Sequence, residues 1–232
     1  MKIFDMANYQ TADCFKSDNS EFKLNQRNKT DGLRLLQALK NESVRIVFFN
    51  PQYRGVLDKL SYGNEGKSRG QTRSALPQMN ESTIKAFITE IKRVLKPSGY
   101  LFLWVDKFHL IESVKPWLAR LYVLSIVDMI TWDKGRIGMG YRTRRKAEYL
   151  LIIQKEPVRA KTTWISHNIP DVWSEKVIKT HPHSKPIELQ KALIQATTIE
   201  HELICDPAAG GYSVLECCKA LKRDFIGCDL LR

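Results

Sequence analysis

The sequence predicts an α/β fold built on a mostly parallel, twisted sheet with helices on both faces. Two observations carry that prediction. Six short apolar runs, bounded by polar or turn residues, recur along the 232 residues, and most alternate with stretches whose apolar side chains repeat at helical spacing. The runs are apolar nearly throughout, the pattern of strands buried on both faces.

In chain order, the runs predict strands at 44–49 (VRIVFF), 100–105 (YLFLWV), 122–132 (YVLSIVDMITW), 148–155 (EYLLIIQK), 202–205 (ELIC) and 224–230 (DFIGCDL). Helices are predicted at 30–40, 80–96, 113–121, 185–198 and 213–223. In the second of these, Ile84, Phe87, Ile88, Ile91, Val94 and Leu95 fall on one face, a stripe for core packing. Residues 54–79 contain four glycines and many polar residues without a sustained period, so a mobile or functional loop is expected there. A second irregular stretch, 156–180, carries Pro157, Pro170, Trp164 and Trp173. A chain of this length with 43% hydrophobic residues buries one sizeable core, so residues 1–232 are expected to form a single domain.

The formal net charge is +12, from 37 Lys and Arg against 25 Asp and Glu. An evenly spread excess would serve only solubility, but this one clusters. Lys134, Arg136, Arg142, Arg144, Arg145 and Lys146 stand in a segment without an acid, and the loop adds Arg54, Lys59, Lys67, Arg69 and Arg73. A polyanionic partner is expected. The five cysteines are odd in number, Cys217 and Cys218 are adjacent, and no CxxC pair occurs, so neither a disulfide framework nor a zinc site is suggested. The pair His181 and His183 lacks a third ligand at suitable spacing, so no metal is expected. The start lacks the apolar core of a signal peptide and no apolar run is long enough to span a bilayer, which points to a reducing, cytoplasmic setting.

The stretch ELICDPAAGGYSVLECCKALKRDFIGCDL reads as strand, turn, helix, strand. Asp206 and Pro207 end the first strand, Gly210 and Gly211 let backbone approach a ligand, and Ser213 opens a helix with unsatisfied N–H groups. Asp229 ends the next strand, placed to accept hydrogen bonds from a ribose diol. The G-x-G-x-x-G fingerprint is absent, and a plain structural turn accounts for this stretch taken alone. At 45–55, RIVFFNPQYRG delivers Asn50, Pro51, Gln52 and Tyr53 off a strand tip. The Asn50 side-chain carbonyl and the Pro51 backbone carbonyl are two acceptors suited to an exocyclic NH2, and Tyr53 offers a face for a planar base. A proline turn with Tyr53 covering the core edge is the competing account.

Taken together, NPQY, then HPHSKP, then CDPAAGGYS resemble the β class of DNA amino-methyltransferases, whose circularly permuted order places the catalytic D/N/S-P-P-Y/F motif first. ANYQTADCF (7–15) resembles the family's short strand before that motif, and 130–155 resembles the region preceding target recognition. The resemblance implies a Rossmann-like methyltransferase fold and transfer of methyl from S-adenosylmethionine to the N6 of adenine in duplex DNA, leaving S-adenosylhomocysteine, with the base flipped out of the helix. Asn50 and the Pro51 carbonyl would hold the amino hydrogens and Tyr53 would stack on the base, completing a catalytic tetrad with Gln52. The cofactor would lie across both strand ends, bordered by Asn50. Asp13 and Cys14 match positions meeting its adenine, and His181, His183 and Ser184 positions near its methionine, with Lys185 as charge partner or helix start. Asp206, Ala208, Gly210, Gly211 and Ser213 would line the turn and Asp229 would take the ribose. Arg54, Lys67, Arg69, Arg73 and the cations of 134–146 would track phosphates, and residues of about 134–178 would form a small target-recognition segment. A restriction-modification setting with a cognate endonuclease is implied, and self-association into a dimer or higher oligomer is compatible with it.

The chain departs from the family pattern at Gln52, where a second proline is usual, at Ala208, where an aromatic packs on the cofactor, and at Tyr212, where a second glycine is expected. It also stops at Arg232, soon after the ribose acid, so a weakened cofactor site or one completed by a partner subunit is an expectation. Cytosine-N4 methylation on the same scaffold, a DNA-binding relative without turnover, and an RNA methyltransferase stay open as alternatives at this stage.

Overall fold

The structure, a computed structural model, describes residues 14–17, 21–51, 79–118, 123–138, 142–177 and 184–231. Their apolar runs form one eight-stranded sheet: β1 (Asn28–Lys29), β2 (Val44–Phe49), β3 (Leu95–Val105), β4 (Leu124–Asp133), β5 (Ala147–Lys155), β6 (Val172–Ser174), β7 (Leu203–Asp206) and β8 (Asp224–Asp229). The spatial order is β1-β8-β7-β2-β3-β5-β4-β6. Every pairing is parallel except the two made by β5, which runs against β3 and β4. The sheet is therefore mixed, with β5 the one reversed strand among the described residues.

Period-two alternation along the strands divides the core into two layers. On one face Val47, Phe49, Leu101, Leu103, Cys205 and Ile226 pack with the helices α1 (Gly32–Ala38) and α2 (Glu81–Val94). On the other, Ile46, Phe48, Phe102, Trp104, Ile204 and Phe225 pack with α5 (Ile187–Thr197) and α6 (Ser213–Leu221). The apolar stripe of α2 buries Ile84, Phe87, Ile88, Ile91 and Val94. Each such side chain contributes about 1.5–3 kcal/mol of burial, so the stripe rather than helix propensity holds this element in place.

Caps set the helix starts. Asp31 accepts from the N–H groups of Leu33 and Arg34, and Asn80 from that of Thr83. Two short helices, α3 (Lys107–Glu112) and α4 (Lys115–Leu118), follow β3. Asp106 starts α3 by accepting from Phe108 and His109 N–H groups. The three-residue β6 lies inside the stretch expected to be irregular, and the two-residue β1 precedes α1; both are too short for a readable period. No helix among the described residues is long and apolar enough to cross a membrane.

Candidate active site

Strand order reverses between β2 and β7. From β2 the chain continues to the adjacent β3 on one side, and from β7 to the adjacent β8 on the other. The two strands pair in parallel, Ile46 with Ile204 and Val47 with Cys205, so Asp206 and Asn50 both lie at the carboxyl ends of neighbouring strands, Asn50 two residues further along in that register. Such a switch point opens a crevice where α/β sheets bind ligands. Across it, the strand ends of β8, β7, β2 and β3 deliver Asp229, Asp206, Asn50 and Asp106 in that order. Asn50 is partly exposed and Pro51 is buried behind it.

The turn after β7 is tightly held. Asp206 is buried, and its Oδ1 accepts from the Ala208 N–H at 3.1 Å. Burial pushes its carboxyl up to about 7; the Ala208 N–H works against that shift and the neighbouring Asp229 adds to it. Gly210 has φ +50° and Tyr212 has φ +57°, both in the left-handed region. A side chain at Gly32 would come within 2.1 Å of the Pro207 carbonyl oxygen, so the start of α1 packs directly on this turn. Ala208 is partly buried against the layer that contains α1 and α2. Ser213 opens α6, whose N-terminus has no side-chain cap.

Tyr212 takes a left-handed conformation that favours glycine, but its ring does not line the turn. It is fully buried in the layer below, edge-on to Phe225, with the Arg27 guanidinium 5.3 Å from its centroid. Its hydroxyl donates to the Asn28 carbonyl at 2.8 Å, and burial, with the nearby Cys228 and Asp229, pushes its pKa up. It neither narrows the turn with its ring nor replaces the aromatic missing at Ala208. At the end of β8, Asp229 pairs in register with Lys29, its carbonyl accepts from Thr30 N–H at 3.2 Å, and its Oδ1 accepts from Leu231 N–H at 2.9 Å. The carboxylate is partly exposed at the strand tip.

The basic segment divides by environment. Arg136, Arg142, Arg144 and Lys146 are exposed, although Arg144 donates to the Gly138 carbonyl and Lys146 pairs with Asp133 at 2.9 Å. Arg145 lies 5.5 Å from the Phe108 ring centroid and 3.9 Å from the Asp106 carboxylate. Lys134 is different: it is largely buried and pairs with Glu148 at 3.4 Å. The other oxygen of Glu148 receives Lys185 at 2.7 Å, and the Lys185 ammonium sits 4.7 Å from the Trp104 ring centroid. Ser184 is partly exposed just before it. Burial would raise the Glu148 pKa, but the charges of Lys185 and Lys134 prevail and hold it at about 2. The sequence reading missed Glu148 because a lone acid at a strand start has no local signature.

Of the residues expected at the site, Asp13, Gln52, Tyr53, Arg54, Lys67, Arg69, Arg73, His181 and His183 lie outside the described residues. Cys14 is buried, as are Cys205, Cys217, Cys218 and Cys228. Burial raises the pKa of the last four, so none of these thiols is a ready nucleophile. Among the described residues no group of three or more His, Cys, Asp and Glu could hold a metal ion.

Comparison with known proteins identifies the family and the fold. The chain is 65% identical over 209 residues to the Type II methyltransferase M.HhaII of Haemophilus parahaemolyticus, covering 90% of this chain and 92% of that one. Its fold resembles that of the PvuII DNA methyltransferase (cytosine-N4-specific), with a TM-score of 0.65 at 14% identity over 88% of this chain and 81% of that one. It also resembles M1.HpyAVI in a complex with SAM, with a TM-score of 0.60 at 16% identity over 89% and 94%. Both likenesses speak to the Rossmann-like methyltransferase fold. The N6/N4 DNA methylase family model matches residues 44–232, from the start of β2 through both strand-end motifs: the chain belongs to the DNA methylase family.

Proposed function

We propose that this DNA methylase transfers a methyl group from S-adenosylmethionine to the exocyclic N6 of adenine in duplex DNA, at a specific sequence and within a Type II restriction-modification system. The observation that carries the reading is that β2 and β7 are neighbours at the switch point, so that Asn50 and the turn after Asp206 share one carboxyl edge and an amine-gripping motif stands near a nucleoside-binding turn. The 65% identity to a Type II methyltransferase supports the restriction-modification setting.

Three features of the described residues fit the cofactor. The uncapped N-terminus of α6 suits its carboxylate, the left-handed Gly210 lets backbone approach it, and the partly exposed Asp229 carboxylate suits a ribose diol. When bound, S-adenosylmethionine would supply an electrophilic sulfonium methyl, its S–CH3 bond breaking to leave neutral S-adenosylhomocysteine as the N–CH3 bond forms and one amino proton passes to water. The chain's own residues present the nucleophile. The Asn50 side-chain carbonyl and the Pro51 carbonyl accept the two amino hydrogens, which favours a pyramidal nitrogen with its lone pair directed at the crevice. Tyr53 stacks on the flipped base and holds its plane. The exposed cations of 134–146, with Arg54, Lys67, Arg69 and Arg73, neutralise phosphates.

Labelled methyl incorporated into plasmid DNA by the wild-type protein, and lost in Asn50→Ala and Tyr53→Ala, tests the chemistry. Nucleoside digestion and mass spectrometry identify the target; methylated cytosine in place of methylated adenine would overturn the N6 assignment.

A further inference from the structure

Three chain segments meet at one carboxylate. Glu148 is the second residue of β5, Lys134 directly follows β4, and Lys185 stands two residues before α5. Lys185 Nζ lies 2.7 Å from Glu148 Oε2, and Lys134 Nζ lies 3.4 Å from Oε1. The side chains of Lys185 and Lys134 are only 13% and 17% exposed. Two ammonium groups so poorly hydrated repel one another unless an anion stands between them, and Glu148 is that anion. Because β5 is reversed, its start lies at the same sheet edge as the end of β3, with Tyr149 opposite Val105 and Glu148 opposite Trp132. The cluster therefore sits at the carboxyl edge that also carries Asn50.

We infer that Glu148 is a positioning residue that holds the basic segment, through Lys134, and the segment entering α5, through Lys185, in one arrangement at the substrate edge. The inference rests on reading that edge as the DNA and cofactor site. Each lysine is turned inward on the shared carboxylate, so neither acts by touching a ligand. Removing the anion frees two buried cations that repel, and both segments shift.

The sign of the effect separates this from direct contact. Glu148→Gln makes the protein more positive, which by simple attraction strengthens DNA binding; loss of the clamp weakens it. Binding of the full chain to duplex fragments of sheared plasmid is measured by fluorescence anisotropy, binding of S-adenosylmethionine by calorimetry, and melting temperature in parallel. Glu148→Gln is expected to weaken both affinities by about tenfold. Lys134→Met is expected to weaken mainly DNA binding and Lys185→Met mainly cofactor binding, each lowering the melting temperature less than Glu148→Gln does. Tighter or unchanged DNA binding by Glu148→Gln overturns the inference. So does a common loss of both affinities that tracks a fall in melting temperature across all three variants. A wild-type protein that binds no S-adenosylmethionine defeats the functional reading and this inference with it, whereas wild-type binding with an unaltered Glu148→Gln defeats the clamp alone.

Discussion

The hydroxyl of Tyr212 donates a 2.8 Å hydrogen bond to the backbone carbonyl of Asn28, joining the turn after β7 to the edge strand β1. A non-glycine residue in the left-handed region costs on the order of 1 kcal/mol, and burial of the phenol offsets it. Tyr212→Phe is expected to lower stability by about 1 kcal/mol, the loss of one buried hydrogen bond. Tyr212→Gly relieves the backbone but opens a cavity worth about 3–5 kcal/mol, so its net effect is a larger loss, of about 2 kcal/mol or more. Urea unfolding of the two variants checks the order; a Tyr212→Gly protein more stable than wild type would contradict it.

The contact of α1 with the turn predicts a site-specific sensitivity. At Gly32 a methyl group would meet the Pro207 carbonyl oxygen at 2.1 Å and the Phe87 ring at 2.7 Å. Gly32→Ala is expected to destabilise the fold by about 1–3 kcal/mol and to weaken S-adenosylmethionine binding, because backbone at the turn must move. Thermal melting and calorimetry measure the two effects.

Asp206 predicts a pH dependence. Burial raises its carboxyl from the ordinary 3.8 to about 7, so the folded chain holds this proton more tightly than the unfolded chain does. Its contribution is most favourable below pH 4, declines as pH rises from about 4 to about 7, and levels off above that range. The full swing is a few kcal/mol, at about 1.4 kcal/mol for each unit of pKa. Asp206→Asn removes the titration, so the variant should gain stability relative to wild type between pH 5 and pH 8. A stability difference independent of pH, measured by urea unfolding across that range, would sink the idea.

Exposed arginines of the basic segment predict a salt dependence. The logarithm of DNA affinity should fall linearly with the logarithm of salt concentration, and Arg142→Ala or Arg144→Ala should each reduce the slope by about one. Anisotropy titrations from low to moderate salt give the slopes. A flat dependence in the wild type would remove the phosphate-tracking role.

All six predicted strands are present, β2 with the predicted ends and the other five with shifted ones, and so is the core stripe of α2 apart from Leu95, which begins β3, because apolar period is local and each run carries its own signal. Misses are short or long-range. Asn28–Lys29 and Val172–Ser174 have too few residues for a period, and α3 follows from the Asp106 cap rather than from an apolar face. Tyr212 was legible as a departure from a motif, but where its ring goes depends on the space beneath the turn.

The sequence by itself determined the alternation of strands and helices, the order of the motifs and their membership in a DNA methylase family, since these reside in runs of neighbouring residues. Only the tertiary structure decided that β2 and β7 lie side by side, that β5 runs backwards, and that Glu148 gathers Lys134 and Lys185. Those outcomes depend on which of several similar apolar faces pack together across long stretches of chain, and no local pattern of residues records that choice.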